Sequence, residues 1–338
     1  MADIKNWSSL GPLSPEWTTA ATAAGGSPDL GMFPDIPSMR AWFEQIKAAM
    51  EPAMISQPFD DVREQDHQVK MRDGHEIVVR TYHPKNATAP GALGVVYHGG
   101  GWCIGGLVNE ELLCRRMARE VGMTVANVDY RMGPEWKFPT AHEDCYDATK
   151  WAAENASKLG ADPSKGFTIG GTSAGGNITA SISHLWRDDK LSPPITGCHL
   201  MIPALCDESS YPEHFQKDLL SKQELPNAPI LNHAAMKLFS DNYIPAEQRG
   251  DPLFSPLLWK SGHKGLPAQY FQICGADPLR DEALVYERVL REEDGVKTKV
   301  DMYAGQPHGF WSIFPTMEAS KKFVDESVKG VRWLLEQS

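Results

Sequence analysis

Residues 166–177, Gly-Phe-Thr-Ile-Gly-Gly-Thr-Ser-Ala-Gly-Gly-Asn, decide how the rest of the chain is read. The apolar run Gly166–Gly170 predicts a buried strand, and the stretch Asn177–Trp186 predicts a helix. Between them stands Gly171-Thr172-Ser173-Ala174-Gly175, a G-x-S-x-G. A serine projecting from a strained strand-to-helix turn needs neighbours without bulk at both flanking positions, and this spacing supplies them. The N–H groups at the start of the following helix favour negative charge developing near the Ser173 hydroxyl. A chance glycine-rich turn is the competing reading; the strand before and the helix after weigh against it.

Upstream, a buried strand at Leu93–Tyr97 runs into His98-Gly99-Gly100-Gly101-Trp102. Acyl transfer develops an oxyanion, which preorganised N–H donors meet at about 2.7–3.1 Å. Consecutive glycines bring backbone amides to such a point without Cβ obstruction. The N–H groups of Gly100, Gly101 and Ala174 are therefore the candidate oxyanion hole, against the plainer reading of a β-turn. A Walker phosphate loop would end in G-K-[ST], whereas this segment continues Trp102-Cys103-Ile104-Gly105. No G-x-G-x-x-G follows a strand with an acid about 20 residues on, so a dinucleotide site has no support. His98 is read as fixing the loop by hydrogen bonding. Trp102 either walls an acyl pocket or simply packs.

Downstream of a serine turn of this kind the acid comes next and the base last. Asp277 is the first carboxylate past the strand that ends near Cys274, and is the candidate acid. Of eleven histidines only His308 lies beyond it, in the loop after the strand 297–303, and is the candidate base. Asp281 and Glu282 fall in the first turn of the next helix, where a carboxylate complements the helix dipole in any case.

Around these motifs the pattern alternates. Residues 68–84 read as a hairpin turning at Asp73-Gly74. A helical stretch over 110–121, a strand over 123–129 and a helix opened by a Thr140-x-x-Glu143 capping box follow. Further strands are expected within 194–205 and 269–274, with helices near 281–292 and 318–335. Strands alternating with helices predict an α/β fold, a mostly parallel twisted sheet with helices on both faces. The first ~35 residues, rich in Ser, Pro, Gly, Ala and Thr, read as an arm with little structure. Met39, Trp42, Phe43, Ile46, Met50 and Met54 then recur at helical spacing, with Ser38 as the expected cap. Residues ~205–260 look helical and loopy without a strand, the pattern of a lid.

The chain has 338 residues, with 33 Lys+Arg against 44 Asp+Glu, a net charge of -11. That balance argues against a nucleic-acid partner, which needs a basic surface, and against docking on anionic membranes. No apolar stretch reaches the ~18 residues of a membrane span. No basic segment leads into an apolar one at the N-terminus, so no secretory signal is expected. Six scattered cysteines with no C-x-x-C read as reduced thiols of a cytoplasmic protein. No His/Cys/Asp cluster has metal-ligand spacing, so neither metal nor cofactor is expected.

His98–Trp102, Asp129–Pro139 (DYRMGPEWKFP), Gly171–Asn177, Asp277–Ala283 and His308–Phe310, in this order and spacing, resemble the hormone-sensitive lipase family of α/β-hydrolases over roughly residues 65–338. The resemblance implies an α/β-hydrolase fold with a helical cap: residues 1–60 as cap arm and helices, and 61–338 as the catalytic domain with a cap insertion at about 205–250. It implies Ser173 as nucleophile, Asp277 as acid, His308 as base and Gly100, Gly101 and Ala174 as oxyanion donors. It also implies that Asp129, Arg131 and Glu135 tie loops together near the site, that short- to medium-chain carboxylic esters are the small-molecule substrates, and that a homodimer is to be looked for. Trp102, Phe215 and Leu219 are pocket candidates, alongside Trp17, Phe33, Trp42, Phe43, Leu238 and Phe239, of which at least half would be cap core. Two other functions stay open at this point. One is an esterase, lactonase or acyltransferase for a specific metabolite; the other is a small-molecule receptor on the same scaffold.

Overall fold

The structure, a computed structural model, describes residues 6–55 and 59–338, with side chains described outside 46–55. Among the described residues eight strands form one sheet in the order β1-β2-β4-β3-β5-β6-β7-β8. They are β1 (Val62–Lys70), β2 (Glu76–Pro84), β3 (Leu93–Tyr97), β4 (Thr124–Val128), β5 (Phe167–Thr172), β6 (Gly197–Met201), β7 (Ala268–Cys274) and β8 (Thr298–Tyr303). β1 and β2 form the expected hairpin, turning through Gly74 at φ +90°. β2 meets β4 antiparallel and every later pairing is parallel. β3, β4, β6 and β7 are buried along their whole length, as strands covered on both faces must be.

The helices are α1 (Pro15–Ala23), α2 (Ile36–Ile55), α3 (Glu111–Arg116), α4 (Thr140–Glu154), α5 (Ala174–Asp188), α6 (Ser221–Glu224), α7 (His233–Tyr243), α8 (Arg280–Arg288), α9 (Phe310–Ile313) and α10 (Glu318–Leu335). α4, α5 and α8 cover one face of the sheet, and α3 with α10 cover the other. The segment between β6 and β7 carries α6 and α7. α7 packs on α2 and on residues 30–32, where Leu30 N–H donates to Ile230 O (3.0 Å) and Ile230 N–H to Pro28 O (2.8 Å).

Three local expectations need correction. The N-terminal arm is structured: Ser14 caps α1 by accepting from Trp17 N–H (3.0 Å), with Pro15 at the first helical position. Ser38 is not the cap of α2, because its own N–H donates to Asp35 Oδ1 (2.8 Å), which makes Asp35 the capping side chain. Thr140 forms no capping box; α4 starts from Pro139 with no side-chain cap. The apolar positions Ile46, Met50 and Met54 lie outside the described side chains.

Several histidines are locked inside this frame without charge. Burial pushes His98, His142 and His199 down to about 4 and His184 to about 3. The unfolded chain takes up these protons near pH 6.5 and the folded chain only near 3–4, so stability is lost as pH falls through that window. Glu110, Glu111 and Glu282, whose carboxyls burial raises, run the other way, against these four rings and His83, which burial also lowers to about 4. The melting temperature is therefore expected to fall steeply from pH 7 to pH 4.5 in calorimetry; a flat profile would contradict neutral burial of these rings.

Candidate active site

Ser173 sits between β5 and α5 at φ +56° and ψ −112°, a conformation that L-residues rarely hold and that costs on the order of 1–3 kcal/mol. Its N–H is held by Met201 O at 2.8 Å. The flanking glycines are a steric necessity. A Cβ on Gly175 would stand 2.0 Å from Tyr97 O, and one on Gly171 would stand 2.5 Å from the carbonyl of Gly175. The helix start thus crosses the end of β3 with no room for a side chain, and the serine is the residue left projecting.

The three residues expected to act together are in contact. Ser173 Oγ lies 2.9 Å from His308 Nε2, and His308 Nδ1 lies 2.7 Å from Asp277 Oδ2. Asp277 is fully buried, and its Oδ1 accepts the Leu279 N–H at 2.9 Å. The acid and histidine loops are tied to each other: Gly275 N–H donates to Tyr303 O (2.8 Å) and Ala276 N–H to Gln306 O (3.0 Å). Residues 10–14 brace the same loop, Gly305 donating to Leu10 O (2.8 Å) and accepting from Ser14 N–H (2.9 Å). Such a chain can draw the proton from a hydroxyl as it attacks an electrophilic carbon.

Asp281 and Glu282 do more than face a helix dipole. Asp281 Oδ2 accepts the N–H groups of Leu220 (2.9 Å) and Ser221 (2.7 Å), and Ser221 Oγ donates to Pro278 O (2.7 Å). Lys222 pairs with Glu282 at 2.8 Å, and Arg280 with Glu224 at 2.8 Å. The acid turn is therefore clamped to the segment inserted after β6.

Gly100, Gly101 and Trp102 all have positive φ, at +122°, +57° and +58°. Gly100 and Gly101 line the same cavity as Ser173, while Ala174 is buried as the first residue of α5. Peptide planes before Gly100 are fixed from behind. Tyr130 hydroxyl donates to His98 O (2.8 Å), and the His98 ring, stacked on Tyr130, holds Gly99 O through Nδ1 (2.8 Å). Neutral His98 donates there from Nδ1–H. Tyr130 lies within the 129–139 motif but was given no role there, and Glu110, which lines the same cavity as Gly99, was marked by no sequence pattern.

A cavity of about 1420 Å³ opens on Ser173 and His308. Trp102, Leu231, Met236, Phe239 and Phe254 give it an apolar wall, and Trp42 and Phe43 also reach it. Trp102 stacks parallel on Tyr243 at 5.3 Å, so it both packs and lines. Phe215 and Leu219 are corrections: neither lines this cavity. Leu219 is buried with Leu205, Leu257 and Phe271 in the core under α8, and Phe215 packs against the same cluster. Trp17 and Leu238 are likewise packing residues, Trp17 against Phe314 at 5.0 Å.

The 129–139 segment ties loops as the resemblance implied. Buried Arg131 pairs with Asp144 (2.7 Å) and Asp73 (2.6 Å). Glu135 pairs with Arg40 of α2 (2.8 Å), whose Nε donates to Cys103 O (2.7 Å) just past the glycine loop. Asn177, one turn into α5, holds Ala204 O and Phe254 O at 2.8 Å each and meets His142 at 2.9 Å. Among the described residues no cluster of His, Cys, Asp and Glu could hold a metal ion, and no helix is long and apolar enough to cross a membrane.

Residues 94–312 match a family described as having the alpha/beta hydrolase fold. The chain is 39% identical to an AB hydrolase superfamily protein of Schizosaccharomyces pombe, over 88% of this chain and 87% of that one. It is 36% identical to the versiconal hemiacetal acetate esterase of Dothistroma septosporum, over 97% and 96% of the two chains. Among solved structures it is similar to a vibralactone cyclase, with a TM-score of 0.89, 35% identity and coverage of 97% and 96%.

Proposed function

Because the chain belongs to the alpha/beta hydrolase family, in its hormone-sensitive-lipase-like branch of carboxylic ester hydrolases, we propose that it cleaves short- to medium-chain carboxylic esters through an acyl-enzyme on Ser173. The observation that carries the reading is the hydrogen-bonded line Ser173–His308–Asp277 at the floor of an apolar-walled cavity. Ser173 Oγ attacks the ester carbonyl carbon while His308 Nε2 takes its proton. The tetrahedral oxygen is met by the N–H groups of Gly100, Gly101 and Ala174. His308 Nε2–H then protonates the leaving alcohol, and the C–O bond breaks. Water, activated by the same nitrogen, attacks the acyl-Ser173, releases the carboxylic acid and restores the hydroxyl. Asp277 keeps the Nδ1 proton in place and stabilises the imidazolium. A receptor role is set aside, since the line Ser173–His308–Asp277 is intact and the chain's relatives include named esterases.

The test is a series of p-nitrophenyl esters from acetate to palmitate, with wild type beside Ser173→Ala. A rate maximum at short or medium chains that vanishes in the variant supports the reading; equal turnover in the variant removes it.

Phe239 sets the acyl limit on this reading. Its ring lies so close to Gly101 that a Cβ there would fall 2.3 Å from it. Phe239→Ala opens space beside the glycine loop. The rate ratio of octanoate to acetate is expected to rise about 10-fold or more, within the range one or two methylenes are worth in an apolar pocket. An unchanged chain-length profile would place the acyl group elsewhere.

The likeness to a vibralactone cyclase supports a second reading, in which a hydroxyl of the substrate itself, in place of water, attacks the acyl-enzyme and closes a lactone. A cap that excludes water favours that partition. Cytoplasmic placement is part of the same proposal, supported by six cysteines that are all free and buried.

A further inference from the structure

Behind the nucleophile turn lies a buried polar line that no step above uses. It runs from Asn177 on α5 through His142 on α4 to Tyr243 at the end of α7, and none of the three is more than 1% exposed. Asn177 Nδ2 lies 2.8 Å from Ala204 O and 2.8 Å from Phe254 O. Those carbonyls stand on the two limbs of the segment inserted after β6, one leaving the sheet and one returning towards β7. The limbs are also tied to each other, Leu257 N–H donating to Leu205 O (3.1 Å) and Asp207 N–H to Ser255 Oγ (3.0 Å). One turn further along α5, Ser181 Oγ donates to Leu253 O (2.6 Å). The outgoing limb touches the nucleophile residue itself, because Ala204 N–H and Asn177 N–H both donate to Ser173 O, at 3.4 and 2.9 Å. A Cβ on Gly176 would stand 2.9 Å from Pro203 Cβ, so this limb lies flat on the start of α5.

Donor and acceptor chemistry fixes the direction of every bond in the line. A carbonyl only accepts, so the Asn177 atom facing Ala204 O and Phe254 O is the amide nitrogen, and both its protons are used there. Oδ1 of the same side chain can then only accept, and the group 2.9 Å away, His142 Nε2, must carry a proton. Burial keeps this ring uncharged, pushing it down to about 4, so Nδ1 is bare. A bare ring nitrogen accepts, and its partner at 3.0 Å is the Tyr243 hydroxyl, which donates. The far end of the line bears on the cavity. The Tyr243 ring stacks parallel on Trp102 at 5.3 Å, and Trp102 meets Phe254 at 4.8 Å. Phe254 is the residue whose carbonyl Asn177 holds, so the line closes a loop around two residues of the apolar wall.

We infer that His142 and Asn177 are positioning residues: through Phe254 and Tyr243 they fix the apolar wall at a set distance from Ser173, and so limit the acyl chain that the site accepts. The inference rests on the serine-esterase reading for its rates. His142 is the member that orients the others. Without a donor at Nε2, the Asn177 amide is free to turn and release one of the two limbs. Without an acceptor at Nδ1, Tyr243 holds its place under Trp102 by packing alone. A buried polar group left unpaired costs more than its bond contributes, so the loss of one member is felt by the rest.

The experiment has two readouts. The first is the octanoate-to-acetate ratio of kcat/KM on p-nitrophenyl esters, for wild type, His142→Leu, His142→Gln and Tyr243→Phe. One buried hydrogen bond is worth about 3–10-fold, and His142→Leu should raise the ratio by that factor as the wall gives way to longer chains. Tyr243→Phe, which keeps the ring on Trp102, should move it the same way by less. His142→Gln, whose amide nitrogen reaches the place of Nε2, should recover most of the wild-type ratio. A merely structural role would lower all rates in parallel. An unmoved ratio in both His142→Leu and Tyr243→Phe therefore overturns the inference, as does a His142→Gln variant no better than His142→Leu. The second readout is ¹⁵N NMR of the histidine-labelled wild-type protein at pH 7, with the His142 signal assigned by its loss in His142→Gln. It should show a neutral ring protonated on Nε2. A proton on Nδ1, or a charged ring, overturns the inference. If His142→Leu does not fold, Tyr243→Phe and the tautomer decide the matter. Ser173→Ala separates the two levels: turnover surviving there removes the esterase reading, whereas a dead Ser173→Ala beside an unmoved chain-length ratio removes this inference alone.

Discussion

Ser173→Ala is expected to reduce kcat on p-nitrophenyl butyrate by about 10⁶-fold, to the residue of rate that binding and an oxyanion site supply alone. The loss is that large because no other group can take the place of Oγ. The Ser173 backbone is fixed at φ +56° by packing against β3 and by the bond to Met201 O, so a water occupying the vacated space would have to be activated by a histidine set for a covalently tethered nucleophile. The fold has no reason to suffer. Ser173 Oγ is bonded to His308 and to no other described group, and alanine removes one hydroxyl from a cavity wall. Unfolding midpoints should therefore match within a degree or two while turnover disappears. A variant that keeps a tenth of the wild-type rate would place the nucleophile elsewhere.

The nucleophile turn was legible because its glycines answer a steric demand that any chain crossing a strand end this closely must meet. The strands were legible for a similar reason: Leu93–Tyr97 is a continuous apolar run of strand length, and 269–274 carries Tyr270, Phe271, Ile273 and Cys274 around two glutamines that are themselves buried. The order of acid and histidine followed from the order of the sheet. What stayed hidden depends on direction in space. Asn109-Glu110-Glu111 contains two adjacent acids; Glu111 meets Arg80 and Arg115 near the surface, whereas Glu110 is buried in the lining of the cavity that holds Ser173. Nothing local separates them. Phe215 and Leu219 failed as pocket residues for the same reason, since an apolar side chain in an irregular segment carries no periodicity to say which way it faces. The Thr140 capping box failed differently: the spacing fits, but the preceding segment enters the helix through Pro139 and places Thr140 already inside it. α1 was overlooked because the arm's small-residue composition masked a Ser14-Pro15-Glu16 start that satisfies the rules for a helix N-terminus.

Asp277→Asn should lower kcat/KM by about 10⁴-fold while leaving the fold intact. The size follows from where the amide must sit. Leu279 N–H donates to Asp277 Oδ1 at 2.9 Å, so an asparagine keeps its carbonyl oxygen there and turns its NH₂ toward His308. His308 Nδ1, 2.7 Å from that position, then has to accept a hydrogen bond, which moves the ring proton to Nε2. Nε2–H faces Ser173 Oγ at 2.9 Å and can no longer receive its proton. The variant keeps nearly the same shape but holds the wrong tautomer, and it loses the negative charge that stabilises the imidazolium. Asp281→Asn is the control, because Asp281 is the neighbouring buried carboxylate and its partners are Arg280 and the N–H groups of Leu220 and Ser221. That change should lower the melting temperature by several degrees, as α6 loosens from the acid turn, and cost less than about 10-fold in rate, since about 1–3 kcal/mol attends each weakened charged hydrogen bond. The reverse outcome, a large rate loss at Asp281 and a small one at Asp277, would reassign the acid.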